Sequence, residues 1–100
     1  MDIQSLTQEM HRFVDSKGWY AENSPRPQVL RSLAISLVLE SAETLENFQW
    51  SDEIKDKDAL KCELADVALY LLQLASLADI DLEKAILDKL HENYQREWKP

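Results

Sequence analysis

The sequence has few of the residues that make tight turns: it holds one glycine and three prolines among 100 residues. This scarcity excludes a β-sandwich, which needs a turn after each short strand, and a disordered linker. Leu, Ala, Glu, Lys, Gln and Asp dominate instead, and these residues favour helices. The length suits one domain, so we expect a single all-α domain over residues 1–100.

Cysteine and long apolar runs are also scarce. Cys62 is the one cysteine, so no internal disulfide can form, and a reduced cytoplasmic protein is predicted. The chain opens without a basic segment followed by an apolar stretch. Its longest apolar-dominated run, residues 67–78, is shorter than the roughly 20 residues that a membrane span needs. We therefore expect a soluble protein with no membrane partner.

Positive charge is in short supply: 11 Lys and Arg face 19 Asp and Glu, for a net charge of −8. Proteins that bind nucleic-acid polymers depend on clustered Lys and Arg, so a polymer of this kind is not an expected partner. Small anionic ligands stay possible if metal ions mediate the contact.

The spacing of apolar residues predicts four helices, over residues 2–17, 28–49, 58–78 and 82–97. Gly18 ends the first helix, Pro25 and Pro27 keep residues 21–27 extended, and Asp81 is the expected N-cap of the fourth helix. The second and third helices are apolar around most of their circumference. This apolar surface is larger than three short partner helices can cover. We predict a four-helix bundle whose core is completed in a homodimer or homotetramer.

Two pairs of carboxylates interrupt these apolar helices. Glu40 and Glu43 form the first pair, Glu63 and Asp66 the second, and the members of each pair share one helix face. Residues 32–46 and 62–78 contain no Lys or Arg. Carboxylates on a helix usually form a solvated face, but these are placed where a core is expected.

Burying an ionised carboxylate costs several kcal/mol unless it is paired or coordinated, and four together repel one another. A hard divalent cation relieves both costs, and all-oxygen ligands select Mg²⁺, Mn²⁺ or Ca²⁺ over zinc or copper. A di-iron bundle needs Glu-x-x-His motifs that His11 and His91 do not supply. The loop of an EF-hand is missing as well, so Mg²⁺ fits best, with Mn²⁺ as its substitute.

A carboxylate-bound Mg²⁺ typically holds a phosphate ligand, and the fourth predicted helix carries cations that could bind the other phosphates. Lys89 and Asn93 are one helical turn apart, and Arg96 follows three residues later, with Lys84 and Lys99 nearby. The alternative is that this helix is a solvated charged face. Trp19 and Tyr20 could cover a flat ligand, or plug one end of the core.

Three stretches carry a resemblance to a known family. They are the pairs Glu40-x-x-Glu43 and Glu63-x-x-Asp66, the segment LESAETLENFQW at residues 39–50 with ELADVALY at 63–70, and KLHENYQR at 89–96. Together they resemble the MazG-like, all-α nucleoside triphosphate pyrophosphohydrolases. The likeness is strongest to the short, single-domain members that are similar to the dCTP pyrophosphatases.

The resemblance implies hydrolysis of a nucleoside triphosphate between its α and β phosphates, in housecleaning of non-standard or excess nucleotides. It implies a metal on Glu40, Glu43, Glu63 and Asp66. It implies phosphate contacts from Lys89, Asn93 and Arg96, and a base and sugar framed by Trp19, Trp50 and Tyr70. Glu43 or Glu46 is expected to orient the attacking water.

Two departures from the family pattern leave the preferred base open. The segment from Trp19 to Leu33 is longer than in close relatives and carries two prolines, and Trp98 stands one position away from the family's usual tyrosine. The alternative function is a catalytically weak helical module that binds a partner protein or a nucleotide. A helical metal-storage protein would need more histidines than the two in this chain.

Overall fold

The computed structural model describes residues 1–98, which form four helices. These are α1 (Ile3–Ser16), α2 (Leu30–Glu46), α3 (Lys57–Leu77) and α4 (Leu82–Gln95). No strand occurs in this part of the chain, so the all-α prediction is confirmed. Lys99, one of the basic residues predicted at the end of the chain, lies outside the described residues. That residues 1–100 form one domain stays a prediction.

Aspartate side chains fix the start of three helices. Asp2, Asp56 and Asp81 accept hydrogen bonds from backbone N–H groups in the first turns of α1, α3 and α4, at 2.8, 3.1 and 3.1 Å. Gly18 follows α1 with φ at 72°, a left-handed conformation that suits a residue without a Cβ. The predicted stop after α1 and the predicted cap at Asp81 are both present.

The second helix is shorter than predicted at both ends. It begins at Leu30, two residues later than expected, because Val29 is still extended after the proline-containing segment. It ends at Glu46 instead of residue 49, and Asn47 is its C-cap. Trp50 therefore lies beyond the helix, in the segment that leads to α3.

The third helix is central to the fold. It packs most extensively against α2, less against α1, and least against α4. Because α2 and α3 lie side by side, the two carboxylate pairs come from adjacent helices. None of the helices within residues 1–98 is long and apolar enough to cross a membrane.

The core of the single chain is small. Its buried apolar side chains are Met10, Val14, Leu33, Leu72 and Ala75. Large apolar side chains on α2 stay exposed, among them Val38 at 67%. The Cα radius of gyration is 16.2 Å, whereas a compact domain of this length has about 13 Å. One chain thus leaves much apolar surface uncovered, and the homo-oligomer that would cover it stays a prediction.

The fourth helix differs from its prediction in packing and length. Of the apolar residues whose spacing predicts an inward face, Leu82 is half-buried, while Ala85, Ile86, Leu90 and Tyr94 are exposed in the single chain. The reason is that α4 has the least contact with α3 of any helix that packs on it. The helix also ends at Gln95, so Arg96 is extended and does not continue the face of Lys89 and Asn93.

Candidate functional site

Packing of α2 on α3 brings the four predicted metal ligands near one another. The effect is clearest at Glu40, whose pKa is raised above the usual value of 4.5. Partial burial is the largest cause, and the negative charges of Glu43, Asp66 and Glu63 add to it. The expectation that both pairs serve one site is therefore consistent with the electrostatics of Glu40.

The expected burial of these carboxylates is wrong for the single chain. Glu40 and Glu63 are half-buried, while Glu43 and Asp66 are exposed. The reason is that the apolar residues beside them on α2 and α3 are exposed as well, including Leu39 and Leu64. Glu46, the last residue of α2, is also exposed.

The donor chemistry of the four carboxylates fits a hard divalent cation. Every donor is an oxygen, and the set includes no histidine or cysteine. On each helix, no Lys or Arg stands between the two carboxylates of the pair. In residues 1–98 no three histidine, cysteine, aspartate or glutamate side chains converge closely enough to hold a metal ion. The four carboxylates would therefore have to draw closer together to share one ion.

Asn47 is a site residue that sequence reasoning missed. It is 7% exposed, and its side-chain N–H donates to the Glu63 carboxylate at 3.3 Å. Its side-chain oxygen accepts from the backbone N–H of Asp56 at 2.9 Å. Asn47 thereby holds Glu63 and the start of α3 against the end of α2. The available signal was its position four residues after Glu43, on the same helix face.

Two of the three predicted base-binding aromatics share a cavity. Trp19 and Tyr70 line a space of about 260 Å³ whose other walls are mostly apolar residues of α1 and α3. Phe13 packs edge-on against Trp19, with 5.7 Å between ring centroids, and the Arg26 guanidinium lies 4.7 Å from the Trp19 ring centroid. Trp50 does not line this cavity and is 89% exposed.

A polar network lies against the same cavity and was also missed. Gln73, which is 3% exposed, donates to the Tyr20 hydroxyl at 3.2 Å and to Gln28 Oε1 at 2.9 Å. His11 bonds the Tyr20 hydroxyl through Nδ1 at 2.5 Å, and Ser76 Oγ through Nε2 at 2.7 Å. The network fastens the loop after α1 to α3. Its signal in the sequence was Gln73, an amide inside the apolar run of α3.

The predicted phosphate-binding residues lie on or just after α4. Lys89 pairs with Glu92 at 3.3 Å on an exposed surface, and the Arg96 guanidinium stacks on Trp98 at 4.2 Å from its ring centroid. Asn93 Oδ1 is buried without a hydrogen-bond partner. No hydrogen bond or ion pair of the described chain joins Lys89, Asn93 or Arg96 to the four carboxylates.

A larger cavity, of about 470 Å³, lies where the first half of α1 meets the junction of α3 and α4. His11, Ser76, Asp79 and Glu83 are among its lining residues. It contains none of the predicted site residues, so its size alone does not make it the reaction site.

Comparison with known proteins places the chain in a family. Residues 35–99 match the model of the MazG-like family. The chain belongs to the MazG-like family. This confirms the resemblance seen in the carboxylate pairs and the segments around them.

Relatives and a solved structure agree with that assignment. The chain is 34% identical to rat dCTP pyrophosphatase 1 and 33% identical to the human protein of that name, each over 104 residues. Each match covers 95% of this chain and 56% of the relative, so the chain spans about half the length of these curated relatives. The crystal structure of a pyrophosphatase from Archaeoglobus fulgidus DSM 4304 superimposes with a TM-score of 0.81 at 30% identity. The superposition covers 97% of this chain and 93% of the archaeal chain, which confirms the fold.

Proposed function

We propose that this protein hydrolyses nucleoside triphosphates between the α and β phosphates, releasing the monophosphate and pyrophosphate, with a divalent metal bound by its carboxylates. The observation that carries the proposal is the packing of α2 against α3, which sets the two carboxylate pairs on adjacent helices. Burial, and then the charges of Glu43, Asp66 and Glu63, raise the pKa of Glu40. Membership of the MazG-like family, and the names of the dCTP pyrophosphatase relatives, support the reaction. The physiological role is housecleaning of non-standard or excess nucleotides.

Pyrophosphatases of this family generally depend on a divalent metal. Glu40, Glu43, Glu63 and Asp66 would hold Mg²⁺, with Mn²⁺ as its substitute. Such an ion neutralises polyphosphate charge and makes water a better nucleophile at neutral pH. Glu43 or Glu46 orients the attacking water, and Asn47 keeps Glu63 directed toward the end of α2.

The protein acts as a homodimer or homotetramer. The argument is the exposed apolar surface of α2, α3 and α4, together with a radius of gyration too large for a compact chain of this length. Covering the apolar side of α4 also gives Lys89, Asn93 and Arg96 a fixed position from which to contact phosphates. Trp19 and Tyr70 enclose the base, and Trp50, which lies outside their cavity in the single chain, is retained as a third contact. A cytoplasmic location stays a prediction.

The test is hydrolysis of a panel of canonical and modified nucleotides with Mg²⁺, with pyrophosphate and orthophosphate release measured separately. Pyrophosphate release is expected from the wild type and should be lost in Glu63→Gln, which keeps the side chain's shape and removes its charge. Glu83→Gln, an exposed glutamate on α4, is the matched control and should keep full activity. Orthophosphate alone, no turnover, or a fully active Glu63→Gln would overturn the proposal.

A further inference from the structure

The orientation of the Gln73 side-chain amide is fixed by its neighbours. Gln28 Nε2 donates to the backbone carbonyl of Arg26 at 2.6 Å, and a carbonyl can only accept. The atom that Gln28 turns toward Gln73 is therefore its oxygen, and the Gln73 atom 2.9 Å away must be the nitrogen. The carbonyl oxygen and the amino group of Gln73 cannot exchange places without losing this bond.

The second N–H of Gln73 is used by Tyr20. Burial raises the pKa of Tyr20, so its hydroxyl keeps its proton at neutral pH. The phenol oxygen accepts from Gln73 at 3.2 Å and is also hydrogen-bonded to His11 Nδ1 at 2.5 Å. His11 Nε2 is hydrogen-bonded in turn to Ser76 Oγ at 2.7 Å. Both N–H groups of Gln73 are committed, one to Gln28 and one to Tyr20.

The carbonyl oxygen of Gln73 is the one polar atom of its side chain that these bonds do not use. No residue of the described chain donates a hydrogen bond to Gln73 Oε1. The residue is 3% exposed, and it lines the cavity shared by Trp19 and Tyr70. An acceptor at a cavity wall without a donor from the protein is available to a ligand in that cavity.

The cavity is placed to receive the base of a nucleotide whose phosphates lie at the carboxylates. Glu63, Asp66, Tyr70 and Gln73 follow one another at three- and four-residue spacings, so they form a single stripe along α3. Asp66 and Gln73 are separated by about 10 Å along the helix axis. The volume of about 260 Å³ is below the roughly 300–1,000 Å³ of pockets that enclose a whole drug-sized ligand. It suits an aromatic ring better than an entire nucleotide.

We propose that Gln73 Oε1 accepts a hydrogen bond from an exocyclic amino group of the base, making the enzyme selective for nucleotides that carry this group at C4 of a pyrimidine or C6 of a purine. This deepens the proposed function and rests on it. Cytosine and adenine carry an amino group where uracil and guanine carry a carbonyl oxygen. On a pyrimidine that group lies opposite the bond to the sugar. It is therefore the first part of the base to reach the inner wall when the base enters the cavity end-on. A carbonyl there would face Gln73 Oε1 as a second acceptor, and the amide cannot turn over to relieve the clash.

The test compares kcat/KM for two substrate pairs that differ in this group and in the protonation of the ring nitrogen beside it: dCTP against dUTP, and dATP against dITP. One misplaced hydrogen bond predicts at least a roughly tenfold preference of the wild type for the amino-bearing member of the accepted pair. The pair that is turned over identifies a pyrimidine or a purine site. In Gln73→Met, which keeps the side chain's length without its polar atoms, the ratio should approach one. Gln4→Met, at an exposed glutamine of α1, should leave the ratio unchanged.

Binding of monophosphates without metal separates this inference from the proposed function. In calorimetric titrations the wild type should bind dCMP more tightly than dUMP, or AMP more tightly than IMP, and Gln73→Met should not discriminate. Hydrolysis and binding with no preference in the wild type would overturn the role of Gln73 and leave the pyrophosphatase function standing. Selective binding without hydrolysis would support the role of Gln73 and overturn the pyrophosphatase function. Should Gln73→Met fail to fold, Gln28→Met, which removes the bond that holds the Gln73 amide in one orientation, must lower the wild-type ratio; an unchanged ratio contradicts the proposal.

Discussion

Asn47 donates a hydrogen bond from its buried side chain to the Glu63 carboxylate, across the contact between α2 and α3. The same side chain accepts from the backbone of Asp56, the N-cap residue of α3. One amide therefore connects a predicted metal ligand, the start of its helix and the end of the helix that carries the other two glutamates. The fold and the candidate site depend on each other at this residue.

Replacing Asn47 should weaken both the fold and the site. Asn47→Ala leaves the backbone N–H of Asp56 without its acceptor, which is expected to cost about 1–3 kcal/mol of unfolding free energy. Urea denaturation measures the change. Asn23→Ala, in the exposed loop after α1, is the control and should stay within about 0.5 kcal/mol of the wild type. Equal stability of the two variants would contradict the structural role of Asn47.

The raised pKa of Glu40 predicts a pH dependence of stability. The folded state binds the Glu40 proton more tightly than the unfolded state does. Protonation of Glu40 therefore stabilises the fold, and this contribution is complete below pH 4.5, the usual pKa of the group. That contribution is lost as the pH rises through the raised pKa. At neutral pH, without metal, Glu40→Gln should therefore melt higher than the wild type, by about 4 °C or less.

The same comparison should reverse in the presence of metal. Mg²⁺ is expected to raise the melting temperature of the wild type and to have little effect on Glu40→Gln, since a ligand stabilises only a state that binds it. Differential scanning fluorimetry from pH 4 to 8, with and without Mg²⁺, measures both effects. A wild type that melts above Glu40→Gln in metal-free buffer at pH 7 would contradict the repulsion among the carboxylates.

The exposed apolar face of α2 should be an interface between copies of the chain. Wild-type protein is expected to sediment at a multiple of its 11.6 kDa chain mass. Val38→Lys places a charge on that face and should shift the protein toward the monomer with loss of activity. Ile54→Lys, at an exposed apolar residue between α2 and α3, should keep the wild-type mass. A monomeric and active wild type would refute the interface.

Lys89 should matter for substrate and not for stability. Its ion pair with Glu92 is exposed, and such pairs contribute about 0–1 kcal/mol. Lys89→Ala should therefore melt like the wild type while its kcat/KM falls about tenfold or more through a lost phosphate contact. Lys84→Ala removes an exposed lysine of the same helix, paired with Asp88, and should keep wild-type kinetics. Equal kinetics for both variants would remove Lys89 from the site.

Much of the fold followed from the sequence because helical periodicity is local. The apolar spacing located all four helices, and Asp81 and Gly18 marked their ends, since capping depends on a few neighbouring residues. The end of α2 was misplaced: the helix ends at Glu46, and its C-cap Asn47 bonds to Glu63 and to the backbone of Asp56, contacts that depend on the packing of α2 against α3.

The candidate site could be predicted only in part for the same reason. The spacing of Glu40 and Glu43 identified a helix face, but the burial of that face depends on what packs against it, and in the single chain it is partly exposed. The amide of Gln73 acquires its meaning from Tyr20 and Gln28, which are 53 and 45 residues away along the chain. Long-range hydrogen bonds of this kind are a property of the folded structure.

Identification of the phosphorus products of dCTP turnover by ³¹P NMR, with Mg²⁺ present, tests the central claim most directly. Cleavage between the α and β phosphates predicts dCMP and pyrophosphate in equal amounts, with neither product formed when Mg²⁺ is chelated or when Glu63→Gln replaces the wild type. Formation of dCDP and orthophosphate, or turnover that is independent of metal and of Glu63, would contradict it.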